Sequence, residues 1–220
     1  MAKTPAFHSL EVTRTARVAT LGSPASADTW WVVLHGYGQL AADVIEHFEP
    51  VVASDCCVIA PEGLSRFYVD GLESHEEVGA SWMTREDRAH EIDDYVTYLD
   101  DAVRHFRSGE ADPTIRVLGF SQGAATASRW ALLGETTVDR LVLWGGAPAH
   151  DLDLTTHATA LREMNLTLVV GTGDPYVPET RRAAVRRRLE QNNIPVTVQT
   201  FDGGHRLDDD TLKAVVTNPE

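Results

Sequence analysis

Short apolar runs recur along the chain, separated by polar or amphipathic stretches. Thr29 to His35 (TWWVVLH), Cys56 to Ala60, Thr114 to Phe120 (TIRVLGF), Val138 to Trp144, Leu166 to Gly171 and Pro195 to Phe201 each predict a strand. These runs are largely continuous in Val and Leu rather than alternating with polar residues, so both faces of each strand are expected to be covered, as in a parallel sheet. Between them, the stretches from about Ala41 to Ser54, Arg85 to Phe106, Gln122 to Leu133, Pro178 to Asn192 and Asp208 to Val216 predict helices. Strand and helix alternating in this way predict an α/β fold, a doubly wound and mostly parallel sheet with helices on both faces. An earlier segment, Leu10 to Leu21, alternates Thr and Val and is expected to add antiparallel edge strands.

One segment breaks the alternation. Residues 63–84 hold Phe67, Tyr68, Trp82 and Met83 among glycines and acidic residues. Connections that long are uncommon unless they are functional, and this one is expected to be a substrate-covering loop. No repeat or linker interrupts the rest, so residues 1–220 are expected to form a single domain.

Composition narrows the classes. At 220 residues, 43% hydrophobic and 24% charged, the chain can bury a sizeable core. Its 33 acidic against 19 basic residues give a formal charge of -14, which disfavours nucleic acid and anionic membranes as partners. Met1 to Leu10 has no apolar core of a signal peptide, and no run reaches the length of a membrane span. Stable membrane insertion is therefore not expected. The two cysteines, Cys56 and Cys57, are adjacent, and they are expected to be reduced, buried thiols rather than a strained vicinal disulfide. With no disulfide framework and no metal-type spacing, a reducing cytoplasm is the expected location.

The chemistry-bearing motif is Gly119-Phe120-Ser121-Gln122-Gly123, which ends a predicted strand and opens a predicted helix. A G-x-S-x-G turn in that setting is so tight that side chains at the glycine positions would clash, and it lifts the serine hydroxyl clear of the sheet. A serine hydroxyl is a weak nucleophile and needs a base that is itself oriented by an acid. His205 follows the last predicted strand through Gly203-Gly204, whereas His150 and His157 lie in polar surroundings. Asp174, in Gly171-Thr172-Gly173-Asp174-Pro175, sits at the carboxyl end of its strand, where ligand-facing residues gather; Asp151, Asp153 and Asp202 are the alternatives. His35-Gly36-Tyr37-Gly38 ends the first core strand. The backbone N–H groups of Tyr37 and Gln122 are the candidate oxyanion donors, and His35 reads as a structural hydrogen-bonding residue.

The motifs LHGYG (34–38), GFSQGAA (119–125), GDPYVP (173–178) and GGH (203–205) together resemble the phospholipase/carboxylesterase family of α/β-hydrolases, which includes the acyl-protein thioesterases. The resemblance runs from about Trp30 to the end, and its most specific mark is the Gln after the serine. It implies an α/β-hydrolase fold without a large cap domain, and hydrolysis of carboxylic esters or thioesters without cofactor or metal. The implied roles are nucleophile Ser121, acid Asp174, base His205 and oxyanion donors Tyr37 and Gln122. Val177 and Pro178 match the apolar pair that follows the acid. Three departures leave the substrate open: HGYGQ stands where thioesterases of this family read HGLGD, Ala124 replaces a usual Gly, and residues 67–82 match the family's substrate loop only in Ser81-Trp82.

The expected activity is therefore a serine esterase of small to medium acyl esters, with Tyr37, Phe67, Tyr68, Trp82 and Val177 as candidate groove residues and a small-molecule ester or thioester as partner. A lysophospholipase or acyl-thioesterase would use the same three residues, and a peptidase would need an amine-binding carboxylate that is not evident. A non-catalytic small-molecule binding protein on the same fold remains the alternative of another class.

Overall fold

The computed structural model describes residues 4–71, 74–107 and 112–217. The apolar runs become β2 (Thr29–Leu34), β3 (Cys56–Pro61), β6 (Thr114–Phe120), β7 (Arg140–Trp144), β8 (Asn165–Gly171) and β9 (Thr197–Phe201), joined on one edge by β1 (Val18–Leu21). These strands form a single sheet in the order β1-β3-β2-β6-β7-β8-β9, parallel throughout except for β1, which pairs antiparallel with β3. The chain runs from β2 outward to β3, then returns to lay β6 on the other side of β2. Their carboxyl ends form the topological switch point, where open α/β sheets bind ligands.

Side-chain alternation explains why both faces are apolar. Trp30, Val32 and Leu34 face one side, packed with Leu99 and Val103 of α2 (Arg88–Phe106), Trp130 of α3 (Gln122–Leu133), Leu161 of α4 (Ala158–Glu163) and Leu189 of α5 (Glu179–Gln191). Trp31 and Val33 face the other, under Val44 of α1 (Ala41–Ile45) and Leu212 and Val215 of α6 (Asp209–Thr217). Cys56 and Cys57 are free thiols, half-buried and buried, and desolvation pushes Cys57 up to about 12.

Three expectations need correction. The helix expected over 41–54 stops at Ile45, continues as a 3₁₀ turn over Glu46–Phe48, and ends before Pro50, which has no N–H to offer a further turn. The amino-terminal segment contributes only β1; Phe7, Leu10 and Val12 lie exposed, because no neighbouring element covers them. Residues 63–84, expected to be one covering loop, have regular structure of their own. They contain an antiparallel pair, β4 (Ser65–Tyr68) and β5 (Val78–Ser81), although positions 72 and 73 lie outside the described residues.

Helix α3 is tied to α2 by one buried carboxylate. Asp100 accepts hydrogen bonds from Trp130 Nε1 (2.8 Å), the Glu135 and Thr136 backbone N–H groups (2.8 and 3.0 Å) and the Thr136 hydroxyl (2.7 Å). Asp100→Ala should lower unfolding free energy by about 2–4 kcal/mol in urea titrations, since one buried and three part-buried donors lose their acceptor together. Asp100→Asn should cost less, because one carbonyl oxygen remains.

Candidate active site

The turn from β6 into α3 is held by close packing. Ser121 adopts φ 56°, ψ -112°, a conformation that costs a non-glycine residue about 1–3 kcal/mol and persists only when its surroundings enforce it. Its N–H donates to the Trp144 carbonyl (2.8 Å). A Cβ on Gly123 would overlap the Leu34 carbonyl oxygen and lie 2.6 Å from that of His35, so the first turn of α3 sits directly on the end of β2. The serine is thereby fixed one strand away from the 35–38 loop.

Asp174 follows β8 and His205 follows β9, and the two loops interlock. The Gly173 N–H donates to the Gly203 carbonyl (2.9 Å), and a side chain at Gly171 would overlap the Gly203 and Gly204 carbonyl oxygens. Asp174 Oδ1 accepts the Tyr176 and Val177 N–H groups (2.8 and 3.2 Å), which leaves Oδ2 for His205 Nδ1 at 2.7 Å. An ionised carboxylate only accepts, so Nδ1 carries the proton and Nε2 offers its lone pair to Ser121 Oγ, 2.8 Å away. The Asp174 side chain is 1% exposed and the imidazole 17%, so the far end of this chain is dry and the near end reachable. Phe120 packs on the His205 ring at 5.0 Å between centroids.

The other acidic candidates are engaged elsewhere. Asp151 is gripped by Arg129 and Arg88, which hold its carboxyl well below the usual range against the opposing effect of burial. Asp153 binds the Thr156 hydroxyl and the Thr155 N–H, and Asp202 is exposed. His150 is exposed and His157 half-buried.

His35 and Gln122 shape the rim next to Ser121. The Gly63 N–H donates to His35 Nε2 (2.9 Å), which requires a neutral ring that donates from Nδ1 to the Gly36 carbonyl (2.7 Å). Burial lowers the pKa of this imidazole. Gly38 and Gln39 pair with β5 through Gly38 N–H to Ala80 O (2.9 Å) and Ala80 N–H to Gln39 O (3.0 Å), and Gln39 N–H also donates to Gly36 O. The Tyr37 N–H is left without a protein acceptor among the described residues. The Gln122 side chain clasps the exit of the hairpin: its Oε1 accepts the Trp82 N–H (3.1 Å), and its Nε2 donates to the Met83 carbonyl (2.8 Å) and Ser81 Oγ (3.1 Å). Sequence reasoning sees this glutamine only as a backbone donor.

The expected groove residues separate into two groups. Tyr37 is exposed and stacks on half-buried Phe67 at 5.1 Å, while Tyr68 is exposed against His75. Trp82 does not line a groove. It is buried, stacked on His35 at 4.9 Å, and its Nε1–H donates to the His35 carbonyl (2.9 Å). Val177 likewise turns inward, because its N–H is drawn onto Asp174. Tyr176, which sequence reasoning did not single out, is exposed and edge-on to the His205 ring at 4.8 Å. The sequence carries no signal for it, because the turn's N–H groups fold back on Asp174 and that fold decides which side chain faces outward.

Two expected outcomes follow from this geometry. The folded pKa of His35 lies below its unfolded value near 6.5, so the unfolded chain binds the extra proton and stability falls as pH drops below about 6.5. Denaturation midpoints measured from pH 7.5 to 5 should show a His35 contribution that is absent from His35→Asn. In Gln122→Ala, the Trp82 amide should exchange with deuterium at least about tenfold faster, since its acceptor is gone.

Comparison with known proteins places this arrangement. The family model described as Phospholipase/Carboxylesterase matches residues 17–218. Among solved structures, Zea mays acyl-protein thioesterase 2 superposes with a TM-score of 0.73 at 19% identity, covering 92% of this chain and 96% of its own. A carboxylesterase from Mesorhizobium loti gives 0.70 at 18% identity (93% and 95%), and the Bacillus cereus carboxylesterase gives 0.65 at 19% (91% and 92%). At these identities the likeness speaks for the fold. A search of curated proteins finds no match. The family match spans nearly the whole chain, and the protein belongs to the phospholipase/carboxylesterase family of α/β-hydrolases.

Proposed function

We propose that the protein is a serine hydrolase of small to medium carboxylic esters, working through an acyl-enzyme on Ser121. The observation that carries this reading is the unbroken chain Asp174–His205–Ser121, with links of 2.7 and 2.8 Å and the proton assigned to Nδ1. His205 Nε2 takes the Ser121 proton as Oγ bonds to the ester carbonyl carbon. The oxyanion that forms is held by the Tyr37 and Gln122 N–H groups, the first of which has no other acceptor among the described residues and the second of which opens a helix. Asp174 fixes the tautomer and stabilises the imidazolium. The proton then passes to the departing alcohol oxygen as its bond to the acyl carbon breaks; water, deprotonated by His205, attacks the acyl carbon, the bond to Ser121 Oγ breaks, and His205 returns the proton to Oγ as the acid leaves.

A cavity of about 330 Å³ lies at the amino end of β6, lined by Asp100, Arg104, Thr114 and Asp139, on the opposite edge of the sheet from Ser121, and so serves no acyl chain. Near Ser121, Tyr176 against His205 and Tyr37 in the loop after β2 stand in solvent, and an open site of this kind suits short acyl groups. Among the described residues no helix is long and apolar enough to cross a membrane.

The test is hydrolysis of p-nitrophenyl esters from acetate to laurate, beside fluorophosphonate labelling. Short esters should turn over fastest, Ser121 should be labelled, and Ser121→Ala should lose at least about 10⁴-fold in kcat. Asp174→Asn should lose about 10⁴-fold while remaining folded. Absence of both turnover and labelling would leave a binding protein on a hydrolase fold.

A further inference from the structure

Of the five tyrosines, Tyr95 is buried and Tyr98 half-buried on α2, while Tyr37, Tyr68 and Tyr176 are 62%, 50% and 65% exposed. Tyr37 and Tyr176 both belong to the carboxyl edge of the sheet. Tyr37 follows β2, one strand to one side of Ser121; Tyr176 follows β8, two strands to the other. Neighbouring strands lie about 4.8 Å apart, so the strands that carry the two tyrosines stand about 14 Å apart with Ser121 between them.

The two sides differ chemically. Tyr37 contributes the candidate oxyanion N–H, so it borders the carbonyl. His205 must hand the Ser121 proton to the departing oxygen as the bond from acyl carbon to alcohol oxygen breaks, so the alcohol half lies against the imidazole. Tyr176 is edge-on to that same imidazole, its ring centroid 4.8 Å away. Its backbone is pinned on both sides, by its N–H to Asp174 Oδ1 (2.8 Å) and by Arg181 Nη1 to its carbonyl (3.0 Å). The exposed ring therefore projects from a rigid support, next to Val177, which turns inward. An exposed flat ring beside the leaving-group path favours another ring, because aromatic pairs gain quadrupole attraction beyond their buried area.

We propose that Tyr176 determines specificity for esters whose alcohol half carries an aromatic ring. This rests on the serine-esterase reading above and goes further by assigning the substrate class and the residue that selects it. Benzyl acetate and cyclohexylmethyl acetate form the test pair: they share chain length and acyl group and have similar alcohol leaving groups, and they differ in aromaticity. The wild type should prefer the benzyl ester about three- to tenfold in kcat/KM, mainly through KM. Tyr176→Phe should keep that preference, and Tyr176→Ala should bring the ratio close to one. The ratio is insensitive to any unfolded fraction, which scales both rates alike. Equal rates on the two esters in the wild type, or an unchanged preference in Tyr176→Ala, overturn the assignment. So does failure to hydrolyse either ester while a fluorophosphonate still labels Ser121, and in that case the serine reading stands. If Ser121 is not labelled, both fall together.

Discussion

The contact on which the site depends is between backbones. Gly123, in the first turn of α3, lies against the Leu34 and His35 carbonyl oxygens at the end of β2, closer than any side chain would allow. That approach sets where α3 begins, forces Ser121 into its left-handed conformation, and places the serine next to the loop carrying the Tyr37 N–H. A flexible side-chain contact could relax by an ångström without consequence. A backbone wedge between a strand and a helix cannot, since both elements are bonded along their length and their faces are buried.

Around this wedge the protein spends its polar groups on fixing loops. His35 holds the Gly63 turn, β5 pairs with residues 38–39, and Gln122 ties the end of β5 to the start of α3. On the other flank the loops after β8 and β9 are locked to each other, with Asp174 buried among N–H donors. Three segments distant in sequence, near residues 35–39, 119–123 and 171–205, thus present their groups from main chain that has little freedom. On the proposed mechanism, groups held this way need little reorganisation, the condition under which fixed dipoles act most strongly on a developing charge.

Much of this was legible in the sequence because it depends on order and periodicity. Buried parallel strands read as apolar runs, and the chemistry-bearing residues of such a sheet follow their strands, so Ser121, Asp174 and His205 could be singled out without coordinates. The hairpin of β4 and β5 was not legible: its strands are four residues long, they mix Gly, Arg and aromatics, and β5 pairs partly with a loop. Trp82 was misjudged because its partner is a main-chain carbonyl, to which no sequence pattern points. Val177, expected in the groove, is buried, and the exposed side chain of that turn is its neighbour Tyr176. Which side chain of a tight turn faces outward is set by how the N–H groups fold onto Asp174, and spacing alone does not encode that.

The central claim is that rigid backbone at the β2 and β6 ends presents Ser121 and two N–H groups to a single reacting centre. A crystal structure of the protein after reaction with a small fluorophosphonate tests it most directly. The account predicts phosphorus bonded to Ser121 Oγ, one phosphoryl oxygen within hydrogen-bonding distance of both the Tyr37 and Gln122 N–H groups, and an elbow unchanged from the free protein. A phosphoryl oxygen turned away from those two groups, or a label carried by another residue, would contradict it.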